Sequence, residues 1–448
     1  MRVAIVGAGP SGVFAVDALA TRVPEGLSVD LFDALPVPCG LVRYGVAPDH
    51  YSVRTFRDNI DKSLDTPGLR FFGNVTVGRD VSIAELCDDY DAVILSYGAS
   101  SGRDLGIPGE DLTGSVAATD VVAWYTGHPD ADRPRIEALV RATKSAIVVG
   151  LGNVAVDVAR VLVKSTEELR QTDMPEHVLD LLAEHPVTDV HIVGRRGPAQ
   201  GAFTTKELRE LGELEGVDVV VDPRDVELGE HDLAEIAENR LIARNVDIVR
   251  EWSTRSLTGA PRRIHVHFWL RPTEISGDTH AESVQFARFA RVADGSLQAT
   301  GETEDIEAQL IVKSVGYFGQ PLDGVPFDER SGTIPHVDGR VSMPDGSGGL
   351  YVAGWIKRGP SGIIGTNKKD SIATVETLLA DVEGGTANHP ANPGSVEVLL
   401  AERGLATVDV VGWRNIDQAE RALGAANGRD RTTIHLRDEL LAAARADS

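Results

Sequence analysis

Two glycine triplets in this chain have the spacing of phosphate-binding turns. In "RVAIVGAGPSGVFAVDALA", Gly7, Gly9 and Gly12 follow a strand-like apolar run and open an apolar-periodic helix. The first glycine of such a triplet permits the tight turn, the second lets backbone approach a pyrophosphate, and the third lets helix pack closely on strand. The helix N-terminus then offers unpaired N–H groups to the phosphate. "LSVDLFD" reads as the next strand, and Asp33 closes it where an acid binds a ribose hydroxyl.

The second triplet lies in "SAIVVGLGNVAVDVARVL", with Gly150, Gly152 and Ala155. Its next strand, "DVHIVGRRG", ends in Arg195 and Arg196 instead of an acid. Paired guanidinium groups read a 2′-phosphate, so the expectation is NADP and not NAD. Two unlike dinucleotide sites in one chain imply a flavoenzyme in which NADPH delivers hydride to bound FAD, with FAD on the first unit.

The elements that must position these turns recur along the chain. "YDAVILSYGAS" (90–100) and "AQLIVKSVGYFGQ" (308–320) each read as a strand followed by a glycine turn. In "GGLYVAGWIKRGPSGIIGTNKKDSIATVETLLA", a strand at 350–353 reaches Gly354 and a helix starts near Ile363. Many flavoproteins with two dinucleotide units place an Asp after that glycine; here Trp355 stands there. Because this FAD-type element follows the NADP unit, the expected fold is α/β with two Rossmann-like domains in the manner of glutathione reductase. The NADP domain (103–324) is inserted in an FAD domain made of 1–102 and 325–448, the latter with a C-terminal extension. That extension reads as strand-like and helix-like pieces packed on the FAD domain, after a linker at 382–394.

Length and composition agree with two domains: 448 residues exceed what one hydrophobic core usually serves. A net charge of −24 disfavours nucleic acid as a partner. Cys39 and Cys87 are too few for a disulfide framework and too far apart for a Cys-x-x-Cys pair or a zinc site, which fits a reduced, cytoplasmic setting. A strand beginning at residue 2 leaves no room for a leader, and no run has the apolar length of a membrane helix. Without a redox cysteine pair or a cysteine-rich iron–sulfur segment, electrons reaching the flavin must leave to a partner outside the chain.

The motifs "GAGPSG", "GLVRYGVAPDH", "IPGED", "GLGNVAVDVAR", "VGRRGPAQGAFTTKELRE", "GWIKRGPSGIIGTNKKD" and "GWRNIDQAERALGAANGRDR" occur in this order and span nearly the whole chain. In this they resemble adrenodoxin reductase and the related bacterial NADPH:ferredoxin reductases. The resemblance implies FAD contacts from Gly7, Gly9, Pro10, Ser11, Gly12, Asp33, Gly40, Leu41, Val42, Gly98, Gly354, Trp355, Gly362, Ile363 and Ile364. It implies NADP(H) contacts from Gly150, Gly152, Asn153, Val154, Arg195, Arg196 and Glu207, with Arg103 also at a cofactor. His50, Glu207 and Trp355 would stand nearest the chemistry, which needs no metal: Glu207 at the nicotinamide end, Trp355 beside the stacked rings, His50 near flavin and docking face. For His50 the alternative is a loop-fixing hydrogen bond, and for Arg43 a structural salt bridge. Asp33 stands where the family commonly has Glu, Cys39 where it has an aromatic residue and Ser361 where it has Thr.

The implied activity is hydride transfer from NADPH to FAD, then two single-electron transfers to a ferredoxin-type iron–sulfur protein. A basic stretch, Arg240, Arg244 and Arg250 with Arg262 and Arg263, resembles in position the family's docking segment; a solvated charge-rich helix is the alternative. The competing activities are an FAD/NADPH monooxygenase or a general diaphorase. An electron-transfer subunit of the glutamate synthase type would usually carry a cysteine-rich module, and a non-catalytic NADPH sensor would not need both sets of motifs.

Overall fold

A computed structural model describes residues 1–344, 346 and 348–446. The chain divides into two units: residues 1–46, 50–101 and 317 onward form the first, and residues 47–49 and 102–316 form the second.

The first unit is built on a seven-stranded sheet. Its order is His336–Val337, Arg340–Val341, Leu350–Val352, Ala92–Leu95, Arg2–Val6, Ser28–Phe32, Leu69–Phe72. The last five of these pair in parallel, and the hairpin at 336–341 caps one edge antiparallel. "RVAIV" and "AVIL" are apolar on both faces because both faces are covered, as parallel sheets require. Val3, Ile5 and Leu31 face one side, against Leu19 of the Pro10–Arg22 helix and Val375 and Leu378 of the Ile364–Glu383 helix. Ala4, Val6, Phe32, Val93 and Leu95 face the other, against Ile83 and Leu86 of the Ile83–Asp89 helix. This alternation is the two-residue period of a strand.

Three helices, Ser395–Glu402, Val410–Ala426 and Arg437–Ala444, form the C-terminal segment. Its strand-like "TVDVV" contributes only an isolated bridge, Gly73 to Val408, because the Asp409 carboxylate accepts the Gly412 N–H at 2.8 Å and starts a helix there. Trp413, Ile416 and Leu440 then pack into the same core as Val3 and Ile5. The helix before the expected linker runs on through Glu383, so 382 and 383 are helical.

The second unit has a six-stranded, all-parallel sheet in the order Ser115–Ala117, Leu310–Lys313, Ser145–Val149, Asp189–Val193, Arg262–His267, Val217–Val220. A three-stranded antiparallel sheet, Leu270–Ser276, Ser283–Arg291 and Leu297–Glu307, shares an apolar cluster with its Ile147, Val149 and Val193. Sequence patterning alone did not single out this meander, since "LQATGETEDIE" is polar and largely exposed.

Candidate functional site

In the first unit, Val6, Phe32, Leu95 and Val352 end four neighbouring strands in register, so the segments that follow them meet at one sheet edge. Between the strands at 2–6 and 92–95 the chain order reverses, the place where open α/β sheets hold ligands. Gly7 turns at φ +107°, and a Cβ on it would lie 2.7 Å from the Ser96 carbonyl oxygen. A Cβ on Gly12 would lie 2.0 Å from the Gly7 carbonyl oxygen. Gly9 is different: a Cβ there would meet nothing nearer than Gly40 Cα at 3.8 Å, so its backbone face is open to a ligand. Pro10 begins the helix, and the Ser11 and Gly12 amides have no acceptor within it.

Asp33 sits just past its strand with both carboxylate oxygens engaged, Oδ2 by the Ala8 N–H at 2.8 Å and Oδ1 by the Leu35 N–H at 2.9 Å. Burial pushes its pKa up to about 6, against the pull of those two N–H groups. The carboxylate is thus fixed to the glycine turn itself. Gly98 follows its strand at φ +80° with open space where a side chain would be.

Gly354, φ +79°, abuts the start of the first helix: a Cβ would lie 2.3 Å from Ser11 Oγ. Its N–H donates to Asp370 Oδ2 at 2.6 Å, and Lys357 and Arg358 pair with the same carboxylate at 2.9 and 3.3 Å. Asp370 therefore sets the turn that presents Trp355, a role not singled out from the sequence although Asp370 lies in the quoted "GTNKKD". The Trp355 ring lies 5.8 Å from Tyr317 at 31°, and its buried indole N–H has no hydrogen-bond partner among the described residues. Gly362 (φ +85°) leads into Ile363, which is 73% exposed, and the 20-residue helix then begins at Ile364. Its first amides, at Ile364 and Gly365, point out of the helix start. Open backbone at Gly9, two helix N-termini and an unpaired indole donor fit a pyrophosphate-bearing cofactor with a polar ring system.

The segment "GLVRYGVAPDH" divides its tasks. Gly40 (φ +49°) lies against the first triplet, where a Cβ would be 3.0 Å from Gly9 Cα. Leu41 is 40% exposed, whereas the Val42 side chain is buried with Val13, Cys39 and Ile60. Arg43 is wholly buried in a salt bridge to Glu420, the structural alternative named for it above. Ala47–Asp49 belongs to the second unit, where Asp49 accepts two hydrogen bonds from Arg160 at 2.8 and 2.9 Å. His50 caps the short Tyr51–Arg54 helix, its carbonyl accepting the Val53 and Arg54 N–H groups at 3.2 Å.

In the second unit, Gly150 (φ +147°) packs on the Ser314 carbonyl oxygen, where a Cβ would lie at 2.2 Å, and Gly152 has open space beside it. Asn153 begins the Asn153–Val163 helix and its Oδ1 accepts the Thr204 N–H at 2.9 Å, fixing the loop ahead of the Thr205–Gly212 helix; Val154 follows it, half-buried. Arg195 and Arg196 lie just past the Asp189–Val193 strand and are exposed, and among the described residues neither guanidinium has a partner. Gly197 follows because a Cβ would lie 2.0 Å from the Trp269 ring, a packing contact that no local pattern announces. The Arg103 N–H donates to the Gly316 carbonyl at 3.0 Å, where the chain enters and leaves this unit.

Glu207 is buried; Thr204 caps its helix by accepting the Glu207 N–H at 3.3 Å, and Arg160 donates to its carboxylate at 3.0 Å. Arg160 also donates to Asp157 at 2.8 Å. Burial, with Glu207 and Asp49 nearby, pushes Asp157 up to about 7 despite the guanidinium. Glu110 of "IPGED" accepts from the Leu105 and Gly106 N–H groups and from Lys313, which makes that motif a structural turn.

The basic stretch does not form one surface feature. Arg240, Arg244 and Arg250 lie exposed on the Arg240–Thr254 helix, unpaired among the described residues. Arg262 and Arg263 are in a strand, the first donating to the Val163 and Lys164 carbonyls and the second paired with Asp189.

The profile of the pyridine nucleotide-disulphide oxidoreductase family matches residues 1–354. NADPH-ferredoxin reductase FprA of Mycobacterium tuberculosis is 44% identical over 98% of both chains. The mitochondrial NADPH:adrenodoxin oxidoreductase of Arabidopsis thaliana is 36% identical over 99% of this chain and 95% of its own. The solved structure of the M. tuberculosis FprA in complex with NADPH superposes with a TM-score of 0.92, at 43% identity and 99% coverage of both chains. No helix among the described residues is long and apolar enough to cross a membrane.

Proposed function

The chain belongs to the pyridine nucleotide-disulphide oxidoreductase family, and from that premise we propose that it is an FAD-containing ferredoxin–NADP(+) reductase passing electrons from NADPH to a ferredoxin-type iron–sulfur protein. The observation that carries the cofactor choice is Arg195 with Arg196, two exposed guanidinium groups, unpaired among the described residues, that close the second glycine unit of a chain with net charge −24.

FAD belongs with the first unit and NADPH with the second. The Gly7–Gly12 turn and the Ser11 and Gly12 amides hold the FAD pyrophosphate, and Asp33 holds its adenosine ribose. Bound FAD supplies an acceptor that takes a hydride and releases electrons singly. Trp355 orients the ring system, offering its unpaired indole N–H, and the amides at Ile364 and Gly365 favour negative charge at the helix start. Gly150, Gly152, Asn153 and Val154 hold the NADPH pyrophosphate, while Arg195 and Arg196 grip the 2′-phosphate. Glu207, fixed by Arg160 and by its own helix start, orients the nicotinamide end. Catalysis is then chiefly positioning, since no side-chain nucleophile takes part. Arg240, Arg244 and Arg250 offer an acidic ferredoxin a local positive face on an acidic protein. Two unpaired cysteines suit a reducing cytoplasm.

Anaerobic stopped-flow absorbance tests the reading. NADPH should bleach the flavin band quickly, and colour should return when oxidised ferredoxin is added. Recovery only with oxygen would assign an oxidase or monooxygenase, and no bleaching would exclude electron entry from NADPH.

A further inference from the structure

On the second unit, three histidines occupy contiguous positions of one sheet face, with His267 level with Val193 at the strand ends. His191 lies directly across from His265 in the parallel pairing of the 189–193 and 262–267 strands, and His267 follows two residues on. Their neighbours Val190, Ile192, Ile264 and Val266 enter the core on the opposite face. A parallel sheet ordinarily fills both faces with aliphatic side chains, so three imidazoles here depart from what packing alone selects.

The ring nitrogens lie close together. His191 Nδ1 and His267 Nε2 lie 3.0 Å apart and share one proton, which requires a bare lone pair on one of them. His265 Nε2 lies 2.9 Å from Asp189 Oδ1; donating there leaves its Nδ1 as the bare nitrogen. A carboxylate behind a histidine is the usual support for a metal-bound imidazole. One nitrogen from each ring falls within 4.8 Å of the other two. Tetrahedral zinc, with Zn–N of about 2.0–2.1 Å, needs them roughly 3.3 Å apart. The first pair has nearly that separation, but the three rings are stacked with 10°, 18° and 15° between their planes, so binding an ion requires the imidazoles to turn toward one point. All three residues are partly exposed.

We propose that His191, His265 and His267 form a divalent metal site for Zn2+, with solvent in the fourth position, that ties the 189–193 strand to the 262–267 strand. The spacing is hidden in the sequence because the ligands meet across strands: only His265 and His267 are close in the chain. Asp189 acts as a positioning residue, and its charge offsets the neighbouring Arg263.

Chelator-treated, FAD-loaded protein titrated with Zn2+ in a calorimeter should bind one ion per chain. His191→Gln and His267→Gln should each weaken binding at least ~10-fold, while His280→Gln, at an exposed histidine elsewhere, leaves it unchanged. Zn2+ should also raise the melting temperature of the wild type and not of the His191→Gln protein. Non-saturable uptake, or equal affinity in all of these proteins, overturns the proposal. Should a variant fail to fold, Cu2+ bound to the wild type decides by electron paramagnetic resonance: imidazole nitrogen couplings support the site, and an oxygen-only spectrum removes it.

Discussion

Arg43 and Glu420, 377 residues apart, form a salt bridge in which neither side chain reaches solvent. Glu420 also accepts from Arg431 at 2.8 Å and from the Ile434 N–H at 2.8 Å, while the Arg43 guanidinium lies 5.0 Å from the Tyr44 ring centre and 5.9 Å from that of Trp413. The late motif "GWRNIDQAERALGAANGRDR" is therefore the receptor for an arginine in the cofactor-side loop. Removing one partner of a buried pair leaves an uncompensated charge and costs about 3–5 kcal/mol. Glu420→Ala should lower the denaturation midpoint strongly and weaken FAD retention through Gly40 and Leu41. Unchanged melting and flavin content would show that the pair holds nothing in place.

Arg195→Ala with Arg196→Ala removes charge-assisted hydrogen bonds to the 2′-phosphate. A total of about 3 kcal/mol corresponds to roughly a hundredfold rise in the NADPH KM. The NADH KM should hardly move, since that ligand carries no such phosphate. Steady-state kinetics with both nucleotides decides, and an intact NADPH preference would move the phosphate site elsewhere.

Gly40→Ala places a Cβ at φ +49°, 3.0 Å from Gly9 Cα. Strain of about 1–3 kcal/mol follows from the backbone region alone, and its relief would push the loop off the glycine turn. The variant should purify with less FAD per chain, read as the ratio of flavin to protein absorbance. Full occupancy would show that the two segments tolerate separation.

Burial alone would raise the pKa of Asp49, but hydrogen bonds and charge from Arg160 and Lys164 outweigh it and bring it down to about 2. A carboxylate depressed in the folded state stabilises above its unfolded pKa, and this contribution is lost as pH falls from about 4 to about 2. Asp49→Asn should therefore be less stable than wild type at neutral pH, with the gap narrowing across that acid window. Parallel pH–melting curves would refute the pairing.

The α/β class and the two glycine units were legible because each rests on local grammar: a β-branched run, a glycine turn, an amphipathic helix. What stayed hidden was reciprocal. Gly197 needs Trp269, Gly354 needs Ser11, and Arg43 needs Glu420, yet each partner lies in another part of the chain and carries no mark of its mate. In "TVDVV" the β-branched residues favour a strand, yet the Asp409 cap wins over β-propensity. The meander at 270–307 went unread because its outer strand is mostly polar on both faces, so the two-residue alternation that betrays a half-buried strand is missing.

Arg240 and Arg244 are one helical turn apart, exposed and unpaired among the described residues, so their charge is available to a partner. Screening over a Debye length of about 8 Å at physiological salt makes such steering sensitive to ionic strength. Charge reversal, Arg240→Glu with Arg244→Glu, should slow ferredoxin reduction at low salt by about tenfold or more, the gap closing at high salt. Reduction of a small neutral acceptor by NADPH should be unaffected, because neither residue lies at a glycine turn. Equal ferredoxin rates in both proteins across the salt series would move docking to another face.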